Sequence, residues 1–249
     1  MTWSIELVAL VASTFLLAGV VKGVIGMALP TVSLGVLAAV LGLKEAILLM
    51  LVPSIVTNIW QGVTGGCFVL LMKRLWLLLS AMLLGIWFAA EALAMPDTSI
   101  LEILLGITLI VYGSFGLTAP QLPPVNKREF WFSPMIGMTT GVLAGLTGST
   151  VLPVVPYLQT LKMSRGEFIQ AMGICFSVAA LGIGISLGGR DMLRLDLGVL
   201  SVIGVLPALI GMVVGKAIRD RLSEQRFKQI FFASIMVLGA YIAYRADGF

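Results

Sequence analysis

At 249 residues, 59% of them hydrophobic and 11% charged, with a mean hydropathy of +1.08, the chain is too apolar for a soluble core and is expected to be an all-α integral membrane protein. Sixteen Lys and Arg against twelve Asp and Glu leave a net charge of +4, but the basic residues fall in short stretches between apolar runs, where the positive-inside rule accounts for them without nucleic acid. There is no histidine, which excludes imidazole metal sites and histidine proton relays, and Cys67 and Cys175 lie apart in apolar surroundings, as buried small hydrophobes do.

The N-terminus, Met1 to Leu10, carries Glu6 and neither Lys nor Arg, and reads as a retained first segment and not a signal peptide. The first apolar stretch, Ile5 to Leu43, is too long for one crossing and is interrupted at Gly23 to Pro30, which predicts a hairpin. Its second arm, Ala28 to Leu43, would reach about 24 Å as helix, marginal against a hydrocarbon core of about 30 Å. Three segments of spanning length follow: Ala46 to Gly66, Leu75 to Met95 and Ile100 to Ala119. Pro120, Pro123 and Pro124, followed by Lys127-Arg128-Glu129, mark Pro120 to Phe130 as a linker. The order then repeats, with a hairpin from Trp131 to Leu161 broken at Gly145 to Pro156, then spans near Phe168 to Leu187, Leu195 to Gly215 and Phe227 to Tyr244. The arm after Pro153 is too short to cross, so this hairpin is expected to be re-entrant, and the first by analogy. The expected organisation is thus an N-terminal membrane repeat, residues 1–119, a cytoplasmic linker, 120–130, and a C-terminal membrane repeat, 131–249.

Both breaks share one construction. Gly19-Val-Val-Lys-Gly-Val-Ile-Gly26 leads to Pro30, and Gly141-Val-Leu-Ala-Gly-Leu-Thr-Gly148 leads to Pro153. Glycine lets the backbone leave the helical region and proline cannot continue the ladder. Irregular backbone at membrane depth is tolerated only where it is buried in protein or lines a cavity, and a break repeated in two halves points to a transporter's midplane site. The alternative is packing, because Gly19/Gly23 and Gly141/Gly145 are also GxxxG pairs of the kind that let helices approach closely. A broken helix offers backbone N–H groups and a positive dipole end to an anion. On that basis Gly23, Gly26, Met27, Gly145, Thr147, Gly148, Ser149 and Thr150 are candidate binding residues. Lys22 could supply a positive charge to the substrate, or equally snorkel to the interface.

After the first hairpin, Ser54, Thr57, Asn58 and Gln61 fall on one helical stripe, and Gln170, Gly173 and Ser177 recur at similar spacing in the second half. Such a stripe faces protein or a cavity. Asn58, Gln61, Gln170 and Ser177 are therefore added to the candidate substrate site, with interhelical hydrogen bonding as the competing role. Glu6, Glu91 and Glu102 sit near predicted helix ends, so no carboxylate pair for catalysis and no obvious proton carrier is evident.

If each hairpin returns to the side it entered and the next three segments cross, Lys73, Arg74, Lys127, Arg128, Lys162, Arg165, Lys216, Arg219, Arg221, Arg226 and Lys228 share one face. Lys44, Arg190, Arg194 and Arg245 fall on the other. The richer face is expected to be cytoplasmic, with both termini outside. Three crossings per half insert the halves with opposite orientation, an inverted-topology repeat in which each half is a broken, re-entrant hairpin plus three transmembrane helices.

With these motifs near the start of each half, the chain resembles the sulfite exporter TauE/SafE family of duplicated membrane proteins, over essentially its full length. Where that family often carries a Gly-Gly-Gly run, this chain has Gly26-Met27-Ala28 and Gly148-Ser149-Thr150. The resemblance implies transport of small sulfur-containing anions such as sulfite, thiosulfate or organosulfonates. The expected function is a secondary transporter of the plasma (inner) membrane, an exporter working by alternating access. The alternatives are a passive anion channel and an intramembrane enzyme on a lipid substrate, the latter disfavoured by the missing catalytic groups. No cofactor or metal is implied. The expected partners are a small anionic substrate and the lipid bilayer, a homo-oligomer being allowed.

Overall fold

The computed structural model describes residues 3–120, 122–125, 128–219 and 223–248. Among these there is no strand. The helices are α1 (Ile5–Ile25), α2 (Leu29–Leu41), α3 (Leu43–Val63), α4 (Phe68–Ala89), continued by a 3-10 turn at Ala90–Ala94, α5 (Ser99–Thr118), α6 (Glu129–Thr147), α7 (Val154–Thr160), α8 (Arg165–Gly188), α9 (Leu195–Arg219) and α10 (Glu224–Gly248). Seven of them, α1, α3, α4, α5, α8, α9 and α10, are long and apolar enough to cross a membrane. Large apolar side chains point outward from them, among them Trp76, Leu206, Val213 and Val237, as a lipid-facing surface requires. The all-helical membrane class read from composition is the one the fold has. Lys127 and Arg221, assigned above to the cytoplasmic face, lie outside the described residues.

Local signals explain the boundaries. Ser4 caps α1 by accepting from the Leu7 N–H at 3.2 Å, and Ser164 with Glu167 forms a capping box on α8. Asp97 accepts from the backbone N–H and hydroxyl of Ser99 at the start of α5, which holds its carboxyl below the usual range. α4 starts at Phe68, well before the expected Leu75. The reason is that Lys73 and Arg74 belong to its opening turns, with Arg74 donating to both Glu129 carboxylate oxygens at 2.7 and 2.8 Å.

The chain divides into two compact units, and neither is a sequence half. One comprises Met1–Pro53, Asp97–Ala119 and Leu193–Phe249, the other Ser54–Pro96 and Pro120–Met192. In the first unit α1 lies along α9, α5 along α10, and α2 against α1 and α10. Its core holds Phe15, Leu29, Leu34, Leu37 and Tyr112. In the second unit α4 lies along α6, with α8 on α4 and α7 against α6 and α8, around Leu71, Leu75, Leu78 and Met82.

The main helix pair of each unit is built on glycine, and the two pairs match residue for residue. In the second unit a Cβ on Gly85 would lie 2.8 Å from the Val142 nitrogen and against the Met138 carbonyl; in the first, a Cβ on Gly211 would lie 2.8 Å from the Val20 nitrogen and against the Leu16 carbonyl. The shift that superposes the two glycine motifs carries Leu16 and Val20 onto Met138 and Val142. The shift that carries Gly85 onto Gly211 also carries Gly113 onto Gly239 and Gly106 onto Phe232. Those four residues form the α5–α10 crossing, where Gly113 abuts the Phe232 carbonyl and Gly106 abuts Gly239. There the lower number on one helix meets the higher on the other, so α5 and α10 run antiparallel.

Helix ends are closed by arginines. Arg245 Nη1 donates to the Ala38 and Ala39 carbonyls at 3.3 and 2.6 Å and so caps the end of α2. Arg190 donates to the Ser186 and Trp87 carbonyls at 3.0 and 2.9 Å. Arg74, besides binding Glu129 at the start of α6, donates to the Leu161 carbonyl at the end of α7 at 2.9 Å. One guanidinium therefore holds both ends of the second hairpin together. Tyr157 of α7 also meets Ser133 of α6, hydroxyl to hydroxyl at 2.6 Å. The hairpin returns to the level at which it began.

Candidate functional site

The three glycines of each motif divide their labour between the two readings of the sequence. The first two are packing residues. A Cβ on Gly23 would stand 2.8 Å from the Lys216 nitrogen, and one on Gly145 would stand 2.9 Å from the Ile86 carbonyl oxygen. The third glycine is the break. Gly26 ends α1 in the left-handed region at φ 87°, its N–H donating to the Lys22 carbonyl at 2.7 Å. Gly148 ends α6 in the same way at φ 74°, donating to the Ala144 carbonyl at 2.8 Å. Lys22 and Ala144 are matching residues of the two motifs, so one capping geometry is written twice.

Beyond the glycines the two breaks differ. In the first unit, Met27 is followed by Ala28, itself left-handed at φ 87°, and α2 opens with no side-chain cap and with Pro30 in its first turn. Lys22 is 2% exposed, so its side chain is enclosed by protein and does not run along the surface to an interface. Tyr112 of α5 reaches this break. Its ring is 1% exposed, packs edge-on against Phe232 with centroids 5.4 Å apart, and its hydroxyl donates to the Met27 sulfur at 3.5 Å, a weak acceptor.

In the second unit, Gly148 leads through Ser149, Thr150 and Val151 to a cis Leu152–Pro153 peptide and the short α7, which also lacks a side-chain cap. Thr147, Ser149 and Thr150 are all buried. Thr147 Oγ1 is engaged twice: it donates to the Leu143 carbonyl at 2.7 Å and accepts from the Ser149 N–H at 3.2 Å. The Ser149 hydroxyl is buried and has no hydrogen-bond partner among the described residues, a condition shared in this unit by Ser54 Oγ and Thr140 Oγ1. An unmatched buried hydroxyl costs about 1–3 kcal/mol, so such a group calls for a water or a ligand.

The polar stripes are buried as their spacing implies, with Ser54, Thr57, Asn58, Gln170 and Ser177 all enclosed. The glutamines have a structural task. Gln61 Nε2 donates to the Ile169 carbonyl at 2.7 Å, while Gln170 Nε2 donates to the Gly62 carbonyl at 2.7 Å and its Oε1 accepts from the Cys67 N–H at 2.9 Å. This reciprocal stitch joins α3 to α8 where Gly62 and Gly173 face each other. Ser177 bonds back to the Gly173 carbonyl at 2.7 Å. Interhelical bonding therefore engages the amides of Gln61 and Gln170 and, among the described residues, leaves the Ser149, Ser54 and Thr140 hydroxyls as open groups.

Of the residues named from sequence, Lys22, Gly23, Gly26 and Met27 belong to the first unit, and Asn58, Gln61, Gly145, Thr147, Gly148, Ser149, Thr150, Gln170 and Ser177 to the second. Thr147 to Thr150 are contiguous, and Gln61 and Gln170 come together. Sequence reasoning missed Tyr112 and Thr140. A lone tyrosine inside an otherwise apolar span was the signal for the first; Thr140 precedes Gly141 and carried none.

The set is neutral donors and one buried amine, with no group of three or more His, Cys, Asp or Glu residues placed to hold a metal ion among the described residues. Within each unit such groups are hydrogen-bond donors of the kind that suit a small anion: hydroxyls in the second, an amine and a phenol in the first. No curated protein and no solved structure matches the chain significantly. The family model described as Sulfite exporter TauE/SafE matches residues 11–242, nearly the whole length, and the chain therefore belongs to the sulfite exporter TauE/SafE family.

Proposed function

We propose that this protein is a secondary transporter that exports a small anion, sulfite or a related sulfur oxyanion such as thiosulfate or an organosulfonate, by alternating access, and is not an enzyme. The observation that carries the reading is the second break. There the Ser149 hydroxyl, buried and without a partner among the described residues, stands beside Gly148 and Thr150 in a chain of an exporter family. Asn58 belongs to the lining in the same unit; in the other unit the first break, with Met27, carries donors of its own in the Lys22 amine and the Tyr112 hydroxyl.

The reading includes an inverted-topology repeat of two sequence halves, 1–119 and 131–249, joined by a cytoplasmic linker, 120–130, in the plasma membrane with both termini outside. It is supported by the antiparallel course of α5 and α10, which occupy matching positions in the two halves. A parallel duplication would run them the same way. It is supported also by the ion-pair and cap contacts. Arg74 with Glu129 and Leu161, Gln61 with Ile169, and Gln170 with Cys67 join ends assigned to the cytoplasmic face. Glu102 with Leu43, Arg194 with Glu45, Arg190 with Trp87, and Arg245 with Ala39 join ends assigned to the outer face.

Two measurements test this. In proteoliposomes loaded with sulfite, the protein should show saturable efflux and accelerated counterflow when sulfite or thiosulfate is present outside. A conductance that does not saturate would replace the carrier by a channel, and absence of flux for every sulfur oxyanion would remove the proposal. For topology, single cysteines at Leu122 and at Asp247, in a chain with Cys67 and Cys175 replaced by alanine, should react with a membrane-impermeant maleimide from opposite sides, Leu122 from within. Labelling of both from one side would exclude three crossings between them, and the inversion with them.

A further inference from the structure

In the first unit a cavity of about 250 Å³ opens along α10 between α1 and α2. Leu17 and Val21 form one wall, Val32 of α2 the floor, and Ile230, Ser234 and Leu238 the other wall. All but Ser234 are apolar. Leu17 and Ile230 are 52% and 68% exposed, so the cavity is a groove open to the outward, lipid-facing surface and not an enclosed chamber. Its lining begins at Phe227 and ends at Leu238, roughly 16 Å of helix at 1.5 Å per residue. That length is close to one leaflet, half of a hydrocarbon core of about 30 Å.

The groove is apolar along its length and basic at one end. Phe227 stands between Arg226 and Lys228 at the start of α10, and Lys216 and Arg219 close α9 in the same unit. The intervening sequence adds Arg221 against two acids, Asp220 and Glu224, so the sequence from Lys216 to Lys228 remains net positive. An occupant with a chain one leaflet long and a negative head fits both ends. A second copy of this protein would meet the same positive charge on itself, which argues against a paired apolar face.

We infer that this groove is a binding site for an anionic phospholipid, with one acyl chain between α1 and α10 on the floor of α2 and its phosphate at Arg226 and Lys228. The lipid would brace α2, the short arm of the first hairpin, on the side that α1 and α10 leave open. Clusters of basic residues beside membrane helices select anionic headgroups at roughly fivefold per charge.

The test uses the full chain purified in detergent and titrated with phosphatidylglycerol or phosphatidylcholine of equal chain length, with bound lipid counted by native mass spectrometry. Phosphatidylglycerol should bind in preference, and Arg226→Gln with Lys228→Gln should reduce that preference roughly thirtyfold. Ser234→Phe, at an exposed position on the groove wall, should fill the groove and abolish retention of the phosphatidylglycerol while the protein remains monodisperse. Equal binding of the two lipids, a preference that survives loss of both charges, or retention unchanged by Ser234→Phe would each overturn the assignment. So would a dimer that Ser234→Phe dissociates, since a second copy would then be the occupant.

Discussion

Gly141→Ala is expected to destabilise the protein although alanine is the better helix former. In an exposed helix the exchange favours the folded state by about 1 kcal/mol. At Gly141 the added Cβ would lie 2.8 Å from the Met82 carbonyl carbon and 2.9 Å from its Cα, and these are backbone atoms that no rotamer change can move aside. α6 and α4 would have to separate. Membrane helices gain nothing from hydrophobic burial against one another and associate through close packing, so the loss falls on the term that holds them. Overpacking of this kind costs about 1–3 kcal/mol for a methyl, and Gly141→Val should exceed it and leave little monodisperse protein. Gly184→Ala in α8 is the control, because nothing lies within 4 Å of its Cβ position. Thermal unfolding followed by size exclusion should show Gly184→Ala at or above the parent and Gly141→Ala well below it. Gly19→Ala, the matching contact of α1 on α9, where the Cβ would lie 3.0 Å from the Ala208 carbonyl carbon, should behave like Gly141→Ala. If Gly141→Ala unfolds with the parent, the α4–α6 contact is looser than described and the glycine pattern loses its explanation.

Much of this fold was legible because membrane sequence is simple to read: spans follow from apolar length, and breaks from glycine with proline. The two equivalent motifs make the breaks legible as Gly23 to Pro30 and Gly145 to Pro156, and the structure puts the helix ends at their third glycines, Gly26 and Gly148, each left-handed. What could not be read was which partner each helix would take. α1 belongs with α9 and α6 with α4, across the sequence midpoint, and nothing in local periodicity says which of several apolar faces will meet. The same limit explains the glutamines. Gln61 and Gln170 look like site-lining groups on a helical wheel, and only the crossing of α3 with α8 at Gly62 and Gly173 shows their amides turned to neighbouring carbonyls. The charge of Lys73 and Arg74 suggests water and hence a loop, yet both belong to α4. A carboxylate and a helix end supplied the partners that let Arg74 sit inside α4.

Ser149→Ala combined with Thr150→Val is expected to weaken anion binding ten- to a hundredfold while leaving the empty protein as stable as before, or slightly more so. The two effects have different origins. A hydrogen bond to a charged ligand is worth about 1.5–3 kcal/mol, and that is lost when the hydroxyl is removed. In the absence of ligand the Ser149 hydroxyl has no partner among the described residues, so its removal withdraws a desolvation cost and breaks no bond. Thr150 is 6% exposed, and valine preserves its shape. A hydroxyl whose task was to hold the break together would behave in the opposite way, lowering the unfolding temperature of the empty protein. Thr147→Val serves as that comparison, since Thr147 Oγ1 bonds both the Leu143 carbonyl and the Ser149 N–H and should cost stability when replaced. Gly148→Val should cost more, because its φ of 74° excludes a β-branched side chain. Thermal-shift titrations with sulfite and thiosulfate separate these cases: a parent-like unfolding temperature without ligand and a reduced upshift with it would place the anion at Ser149 and Thr150. If the double variant binds and moves its anion with parental affinity, the second break serves packing alone, and the ligand must be sought at Ser54 and Asn58 on α3.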